Sequence, residues 1–505
     1  MRNLHAIILA AGEGTRMKSE LPKVLHAICG RSMFAYALDL AASSGVKQPV
    51  IVLGHGAELV KPRLPKEVKV VIQTKQLGTG DAVLAAKRSL GAISGDVLIL
   101  YADTPLLRRT TVQKLVETHF KAGATATLLT AHLADPSGYG RILRNETGQI
   151  IGIMEEAEAN AAQRAIREIN VGPLVCNAHA LFEALAVVKP STSKKELYLT
   201  DVISHIGRQE GTKIQATRVE EVSEALGINS RAELARAIGV IRQRILDMHL
   251  HNGVTIEDPH STFIDQGVSI GADTIVHPYT VIETGVSIGK RCSIGPFARL
   301  RSGVAIADGV RVGNFAELVR TKVGPGVRIN HVTYLGDAVV EEGVNIGAGT
   351  ITANYDGANK HQTHIGKGAF IGSDTVLIAP VKIGPGAVTG AGSVVPKGHD
   401  VPAKGVVVGV PARPLERDSR PDHRAAVERP APAAPPKAAA AAKRDGRATP
   451  SRAAGVRKPA RSAARAVVRR KARRRPVTRP LAKRARAVRR PMRRKPSRRL
   501  QRSRK

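Results

Sequence analysis

From Ile264 to Leu318 an aliphatic side chain recurs at every sixth residue: Ile264, Ile270, Val276, Ile282, Ile288, Ile294, Leu300, Ile306, Val312 and Leu318. Few folds tolerate that spacing. An α-helix repeats its apolar stripe about every 3.6 residues and a half-buried strand alternates about every 2, so neither fits. A coil of short strands does fit, each strand turning one aliphatic inward. The small residues that follow, as in SIGADT, SIGKRC and SIGPFA, permit the turns. The series resumes out of phase at Val340 and Ile346, breaks across ANYDGANKHQTH, and continues through Ile365, Ile371, Leu377 and Ile383. The reading is a parallel β-helix whose polar break projects outward. Crossover connections generally prefer the right hand, but the repeat itself leaves the hand of the coil open.

The preceding residues follow another rhythm. HAIILAA, PVIVLGHG, VKVVIQ and DVLILYAD read as short buried strands, with MFAYALDLAASSG and GDAVLAAKRSL as helices between them. That alternation predicts a mostly parallel α/β sheet covered on both faces, with its ligand at the carboxyl ends of the strands. Directly behind the first strand comes LAAGEGTRMKSELPK, Leu9 to Lys23. Bare backbone in a glycine-rich loop can approach an anion closely. The run lacks the spacing of a P-loop, and Gly12-Glu13-Gly14 has no third glycine for a dinucleotide fingerprint. Taken alone it is equally an ordinary strand-to-helix turn. Tyr101-Ala102-Asp103 ends another strand and is placed to face the same crevice. SRAELARAIGVIRQRILDMH then reads as a linker helix with Ser230 as its N-cap. The expected divisions are 1–229, 230–250, 251–413 and 414–505.

The formal charge of +36 suggests a nucleic-acid protein until it is divided. From Pro414 to Lys505 there are 33 Lys and Arg against 5 Asp and Glu, a balance of +28; the rest carries 45 against 37, or +8. The body is mildly basic, as suits an enzyme of anionic substrates, and the excess belongs to an Ala, Pro, Arg and Lys segment expected to be disordered. Cys29, Cys176 and Cys292 are distant from one another and outside any metal spacing, which points to a reducing, cytoplasmic setting. No apolar run reaches membrane-spanning length, and LHAIILAA reads as a buried strand, not a signal peptide.

In this order, LAAGEGTRMKSELPK, QLGTGDA, YAD, DPSGYGRI, EINVG, LYLTD, the hexads, NHVTYLGDA and NIGAGTITANYDGANK resemble the bacterial bifunctional N-acetylglucosamine-1-phosphate uridyltransferase and glucosamine-1-phosphate acetyltransferase family. The resemblance runs from residue 4 to about residue 411. It implies a nucleotidyltransferase α/β (Rossmann-like) domain, a linker helix and a left-handed β-helix that forms a homotrimer. The activity it implies is acetylation of glucosamine 1-phosphate with acetyl-CoA. Uridyl transfer from UTP to N-acetylglucosamine 1-phosphate follows, supplying peptidoglycan and lipopolysaccharide synthesis.

The resemblance also implies roles for single residues. Leu9, Ala10, Ala11 and Gly12 would hold the uridine nucleotide, Gly14 would let the chain pass the phosphates, and Arg16 and Lys23 would neutralise the leaving pyrophosphate. Gln73, Gly78 and Thr79 would read uracil. Tyr101, Ala102 and Asp103 would line the same site, with Asp103 and Asn229 holding Mg²⁺. Gly140, Glu155 and Asn170 would hold the sugar, although Glu156 is an immediate neighbour of the same type. No protein base is needed there, because the sugar phosphate is already an anionic nucleophile, so His5 and His55 are expected to be structural or solvent-facing. Acetyl transfer does require a base, and His331 matches it. Arg301, Tyr334, Asn345, Lys360, Asn354 and Tyr355 would bind glucosamine 1-phosphate, and Ala348, Ser373 and Ala391 would line the acetyl-CoA cleft. In the family the projecting loop reaches a neighbouring subunit.

Two positions depart from the family pattern. A phosphate-binding lysine is replaced by Val319, leaving Arg320 or Lys322 to substitute. A coenzyme-contacting arginine is replaced by Gly409, with Arg413 nearby. Two other readings compete: uridyl transfer alone with the β-helix as a trimerisation scaffold, or a protein whose tail binds nucleic acid. The tail has the charge to neutralise phosphates but no aromatic residues for stacking.

Overall fold

A computed structural model of the chain describes residues 3–91, 94–191 and 195–415. The basic segment expected to be disordered lies, from residue 416 onward, outside the described residues. The first half is built on a sheet whose strands are β1 (Leu4–Ala10), β2 (Val50–Leu53), β3 (Lys69–Ile72), β4 (Asp96–Tyr101), β5 (Ala126–His132), β6 (Arg141–Arg144), β7 (Ile150–Met154), β8 (Glu168–Asn177) and β9 (Ile214–Arg218). The main path runs β9-β5-β8-β4-β1-β2-β3, with the β6–β7 hairpin attached to β8. Every neighbour pair along that path is parallel except those of β8, which runs against both β4 and β5.

Pleating divides the strand residues between two cores. Ala6, Ile8 and Ala10 face one side, with Ile51, Leu53, Leu98 and Leu100. There they meet helices α1 (Met33–Ser43) and α3 (Arg109–Ala122) through Phe34, Leu40, Val112 and Leu115. Ile7 and Leu9 face the other side, against α2 (Thr79–Leu90), α4 (Ala178–Val187) and α5 (Leu199–Ile206). Strands buried on both faces are continuous apolar runs for this reason. Because β1 and β4 are parallel neighbours, the chain leaves Ala10 and Tyr101 at the same edge.

Helix α6 (Arg231–His251) follows. Ser230 and Glu233 form a reciprocal capping box at its start, Ser230 Oγ accepting from the Glu233 N–H while the Glu233 carboxylate accepts from the Ser230 N–H at 2.7 Å. Leu234, Ala237, Ile241, Ile245 and Leu246 then bury one stripe. That stripe is continuous with Met17, Ile28, Met33 and Leu106 of the first half and with Val254, Ile256 and Ile264 of the second.

The hexads wind into a three-faced stack of short parallel strands. Ile288 pairs with Ile306, 18 residues on. Ile306 then pairs with Val323 and Val323 with Val340, each 17 residues on. Each of these two coils is one residue short, the second between Leu335 and Val340 and the first between Leu318 and Val323, and together the two missing residues explain the loss of phase. In the first, Arg320 takes a positive φ of 48°, and buried Thr321 closes the short corner by donating to the carbonyls of Val319 and Leu335, both at 3.0 Å. Two long strands, Arg311–Val319 and Arg328–Gly336, run across a corner and join two faces that elsewhere are separate. The polar break leaves the stack after Ile351–Ala353, forms an exposed loop closed by a Tyr355–Lys360 bridge, and rejoins at Thr363–Ile365.

His249, near the end of α6, is 2% exposed, and its Nε2 has no hydrogen-bond partner among the described residues. Burial holds its pKa below the ordinary imidazole value, and burial and Arg231 shift His26 in the same direction. A depressed imidazole favours folding only while neutral. Stability should therefore be complete above the unfolded value of about 6.5 and decline as pH falls toward the folded value. Thermal unfolding between pH 7.5 and pH 5 should show that decline, and His249→Leu should reduce it; an equal slope in the variant would exclude His249 as a contributor.

Candidate functional site

At the edge where β1 and β4 end lies a cavity of about 310 Å³. Its lining contains Leu9, Ala10, Ala11, Gly12, Lys23, Gln73, Gly78, Thr79, Tyr101 and Asp103. Backbone geometry accounts for two of the glycines. Gly78 has φ 103°, and a Cβ there would lie 2.5 Å from the carbonyl oxygen of Leu197; Gly14 has φ 67°, and a Cβ would lie 2.8 Å from the Lys23 side chain. Gln73 is buried at the end of β3, where its Nε2 donates to the Gly78 carbonyl and to Asp81 Oδ2 at 2.7 Å. Its amide oxygen is then the group it can present to a ligand. Arg16, on the Thr15–Met17 turn, and Ala102, buried beneath Asp103, do not line the cavity.

Lys23 Nζ donates to Asp103 Oδ2 at 2.7 Å and to Asn229 Oδ1 at 3.2 Å. The main chains behind that pair of oxygens are anchored, since the Ile228 N–H donates to the Asp103 carbonyl at 2.9 Å and the Asn229 N–H to Glu233 at 2.7 Å. Among the described residues no cluster of three His, Cys, Asp or Glu could enclose a metal. One carboxylate plus one amide oxygen suits instead a hard cation that keeps water or phosphate as its remaining ligands, and the ammonium between them shows that the position accepts positive charge.

Gly140, Glu155 and Asn170 form an adjacent group. The Asn170 N–H donates to the Gly140 carbonyl at 2.8 Å, and Glu155 Oε1 lies 3.7 Å from where a Gly140 Cβ would stand. Thr200 donates to Glu155 at 2.9 Å, whereas Glu156 Oε2 turns away to Arg141 at 2.6 Å. The two neighbouring glutamates thus occupy different environments. Tyr101 connects this group to the cavity: its ring lies 3.2 Å from the Cβ position of Gly172, and burial, then Glu155 and Asp103, raise its hydroxyl pKa. Sequence reasoning missed Val24, Gln76, Ala82, Glu196 and Tyr198 as lining residues, although LYLTD pointed to the last. It also missed Arg141, which is 1% exposed and reaches the Tyr139 carbonyl and Glu156.

On the β-helix, His331 sits where the long strand rounds the corner. Asn314 is its register partner, and Asn314 Oδ1 accepts from His331 Nδ1 at 2.9 Å. That bond selects the tautomer with Nε2 unprotonated. Asn314 too was missed from the sequence. Register continues this row along the corner. Gly349 bonds back to Val332, Asp374 to Ala348 and Gly392 to Ser373, so His331, Ala348, Ser373 and Ala391 occupy successive coils. Thr389 pairs with Val407, which brings Gly409 next in the row.

One of the two faces meeting at that corner carries Arg301, Glu317, Tyr334 and Asn354; the other carries Asn345, beside Arg328. Within one chain the structure therefore does not gather Asn345 with Tyr334. Arg301 Nη1 donates to Glu317 at 3.1 Å, and both the Tyr334 hydroxyl and Asn354 Nδ2 lie 2.6 Å from where a Gly336 Cβ would stand. Val319 is 4% exposed yet outside the interior cluster. Arg320 grips Asp337 through two bonds of 2.6 and 2.7 Å, and Asp337 also accepts from Asn354. The bonds from Arg320, then that from Asn354, and the nearby charge of Lys360 hold the Asp337 carboxyl below its ordinary range. Lys322 belongs to the third face, pairing with Ala305 and Val339. Of the two proposed substitutes, only Arg320 is near Asn354.

Comparison with known proteins places these features in context. Residues 6–191 match the MobA-like NTP transferase domain, and residues 267–302 and 362–397 match the bacterial transferase hexapeptide (six repeats). The chain is 43% identical to the bifunctional protein GlmU of Heliobacterium modesticaldum over 441 residues, covering 81% of this chain and 96% of that protein. It is 41% identical to the GlmU of Brevibacillus brevis over 442 residues, with 81% and 95% covered. With the GlmU of Syntrophotalea carbinolica the identity is 44% over 434 residues, with 79% and 93% covered.

The placement of Arg141 yields a stability test. Its guanidinium donates to the carbonyls of Tyr139 and Arg164 and pairs with Glu156, which ties together the segments bearing Gly140 and Glu155. Arg141→Met keeps the bulk but leaves those acceptors without donors, and should cost about 1–3 kcal/mol. Urea unfolding measures the loss; an unchanged midpoint would mean that water or backbone movement replaces the guanidinium.

Proposed function

The chain belongs to the bifunctional GlmU family, and from that footing we propose how its residues divide the work of making UDP-N-acetylglucosamine. Residues 251–413 acetylate glucosamine 1-phosphate with acetyl-CoA, and residues 1–229 transfer UMP from UTP to the product, releasing pyrophosphate. The observation that carries this reading is the cavity at the ends of β1 and β4, where ten of the expected nucleotide residues converge. Gln73 offers its amide oxygen to the N3–H of uracil, and the bare backbone of Leu9 to Gly12 faces the phosphates.

In uridyl transfer a phosphate oxygen of the sugar attacks the α-phosphorus of UTP. The bond to the bridging oxygen breaks, and pyrophosphate leaves with the electron pair. Arg16 and Lys23 neutralise the departing charge, while Gly140, Glu155 and Asn170 orient the sugar. Asp103 and Asn229 would hold Mg²⁺, which supplies charge neutralisation of the phosphates when bound. In acetyl transfer the amine attacks the thioester carbonyl, the carbon–sulfur bond breaks, and His331 Nε2 accepts the proton released from nitrogen and returns it to the thiolate.

The His331–Asn314 bond favours this two-reaction reading over one in which the β-helix is only a scaffold. Assembly as a homotrimer is supported by the placement of Asn345 on a different face from Tyr334. A further support is the exposed ladder Tyr279, Phe297 and Phe315, stacked at 4.8 and 5.2 Å between ring centres. Among the described residues no helix is long and apolar enough to cross a membrane.

Two variants separate the sites. Asp103→Asn should strongly depress UDP-N-acetylglucosamine formation with acetylation intact. His331→Ala should lower acetylation by about 10²- to 10⁴-fold with uridyl transfer from pre-acetylated sugar phosphate unchanged. Assays of each half-reaction on purified protein decide the point, and a parallel loss of both activities in folded variants would refute separate sites.

The basic segment from Pro414 to Lys505 is proposed to bind polyanions without sequence preference and to take no part in either reaction. Removing it should leave both rates unchanged and abolish the electrophoretic shift of DNA or RNA, a shift that in the full chain weakens steeply with salt. Sequence-selective, salt-insensitive binding, or loss of catalysis on truncation, would overturn this.

A further inference from the structure

Lys23 holds a position that its role in charge neutralisation does not require. Its side chain is only 11% exposed, and its stem lies against the backbone of Gly14. The ammonium is directed between Asp103 Oδ2 and Asn229 Oδ1, the two oxygens that suit a divalent cation. The main chains that carry those oxygens are anchored without the lysine, by the bond from the Ile228 N–H to the Asp103 carbonyl and by that from the Asn229 N–H to Glu233. The two oxygens thus stand on anchored main chain and are already neutralised by a charge belonging to the chain.

We propose that Lys23 is an internal stand-in for the divalent cation, gating its entry so that Asp103 and Asn229 accept it only once a nucleoside triphosphate has drawn the ammonium away. This rests on the nucleotidyl-transfer reading above. One carboxylate and one ammonium sum to zero charge, so the pair offers a dication little attraction. The ammonium also occupies the space between the oxygens to which the ion must come within about 2.0–2.1 Å. A triphosphate changes both conditions. Its oxygens offer the ammonium stronger charge-assisted bonds than a single carboxylate, and its own charge accommodates two cations where Asp103 by itself accommodates one. Lysine suits this exchange better than arginine would, since a compact ammonium on a flexible stem can move between partners without losing a bidentate geometry. The consequence is an order of events in which nucleotide precedes or accompanies the metal and free metal ions do not occupy the site.

The test is Mn²⁺ binding followed by electron paramagnetic resonance on the full chain, with and without a non-hydrolysable UTP analogue. Wild type, Lys23→Met and Asp103→Asn are compared, with signals corrected for Mn²⁺ held by free analogue. Without nucleotide, Lys23→Met should bind Mn²⁺ about 10- to 100-fold more tightly than wild type, the span corresponding to one charge-assisted contact. The analogue should enhance Mn²⁺ binding far more in wild type than in that variant. If Lys23→Met does not fold, Lys23→Gln provides the same comparison. Equal or weaker Mn²⁺ binding by the lysine variants, with Asp103→Asn abolishing it, would overturn the gate and leave the metal site standing. Undiminished Mn²⁺ binding by Asp103→Asn would overturn the metal site itself, and the gate with it.

Discussion

One continuous apolar column holds this molecule together. The inward aliphatics of the β-helix pass without interruption into the buried stripe of α6, and from there to Met17, Ile28, Met33 and Leu106 of the first half. Helix α6 is thus a shared core element of both halves and does not act as a flexible tether. The Ser230–Glu233 capping box at its start also orders Asn229, one of the two oxygens beside Lys23. Interior packing and the geometry of the first site are therefore coupled through a single helix end. A cavity made in that column would reach both.

The two sites use charge differently. In the first, Lys23, Asp103 and Asn229 form a nearly neutral, partly buried cluster around a single ammonium. In the second, Arg320, Asp337 and Asn354 form a more exposed network beside an otherwise apolar Val319. With Arg320 bound twice to Asp337, this guanidinium must give up an existing pair before it can serve a phosphate in place of the missing lysine. Bidentate geometry makes that exchange more costly than for an ammonium.

Loss of one residue per coil has consequences beyond the repeat. The short corner at Thr321 coincides with the two long strands that cross from one face to the next, and Asn314 and His331 become neighbours on them. An unbroken series of 18-residue coils would have placed residue 332, not His331, opposite Asn314. The irregularity in the hexads and the alignment of the proposed base are one structural event.

Much of the architecture was legible in the sequence because periodicity is a local property. The hexads dictated a β-helix, the apolar runs from Leu4 to Tyr101 dictated a sheet buried on both sides, and Ser230 marked the start of α6. Motif resemblance then singled out residues such as Gln73, Asp103 and His331. What local pattern could not decide was which side chains meet. That Glu155 faces Gly140 while Glu156 serves Arg141 depends on the β6–β7 hairpin and on Thr200 from α5. Asn314 is unremarkable in sequence and becomes the partner of His331 only through register. Lys23 and Asn229 are 206 residues apart, and they come within hydrogen-bond distance only when α6 packs on Met17, Ile28, Met33 and Leu106 of the first half. Periodic burial is encoded residue by residue, whereas a site requires several distant segments to converge, and that convergence exists only in the folded chain.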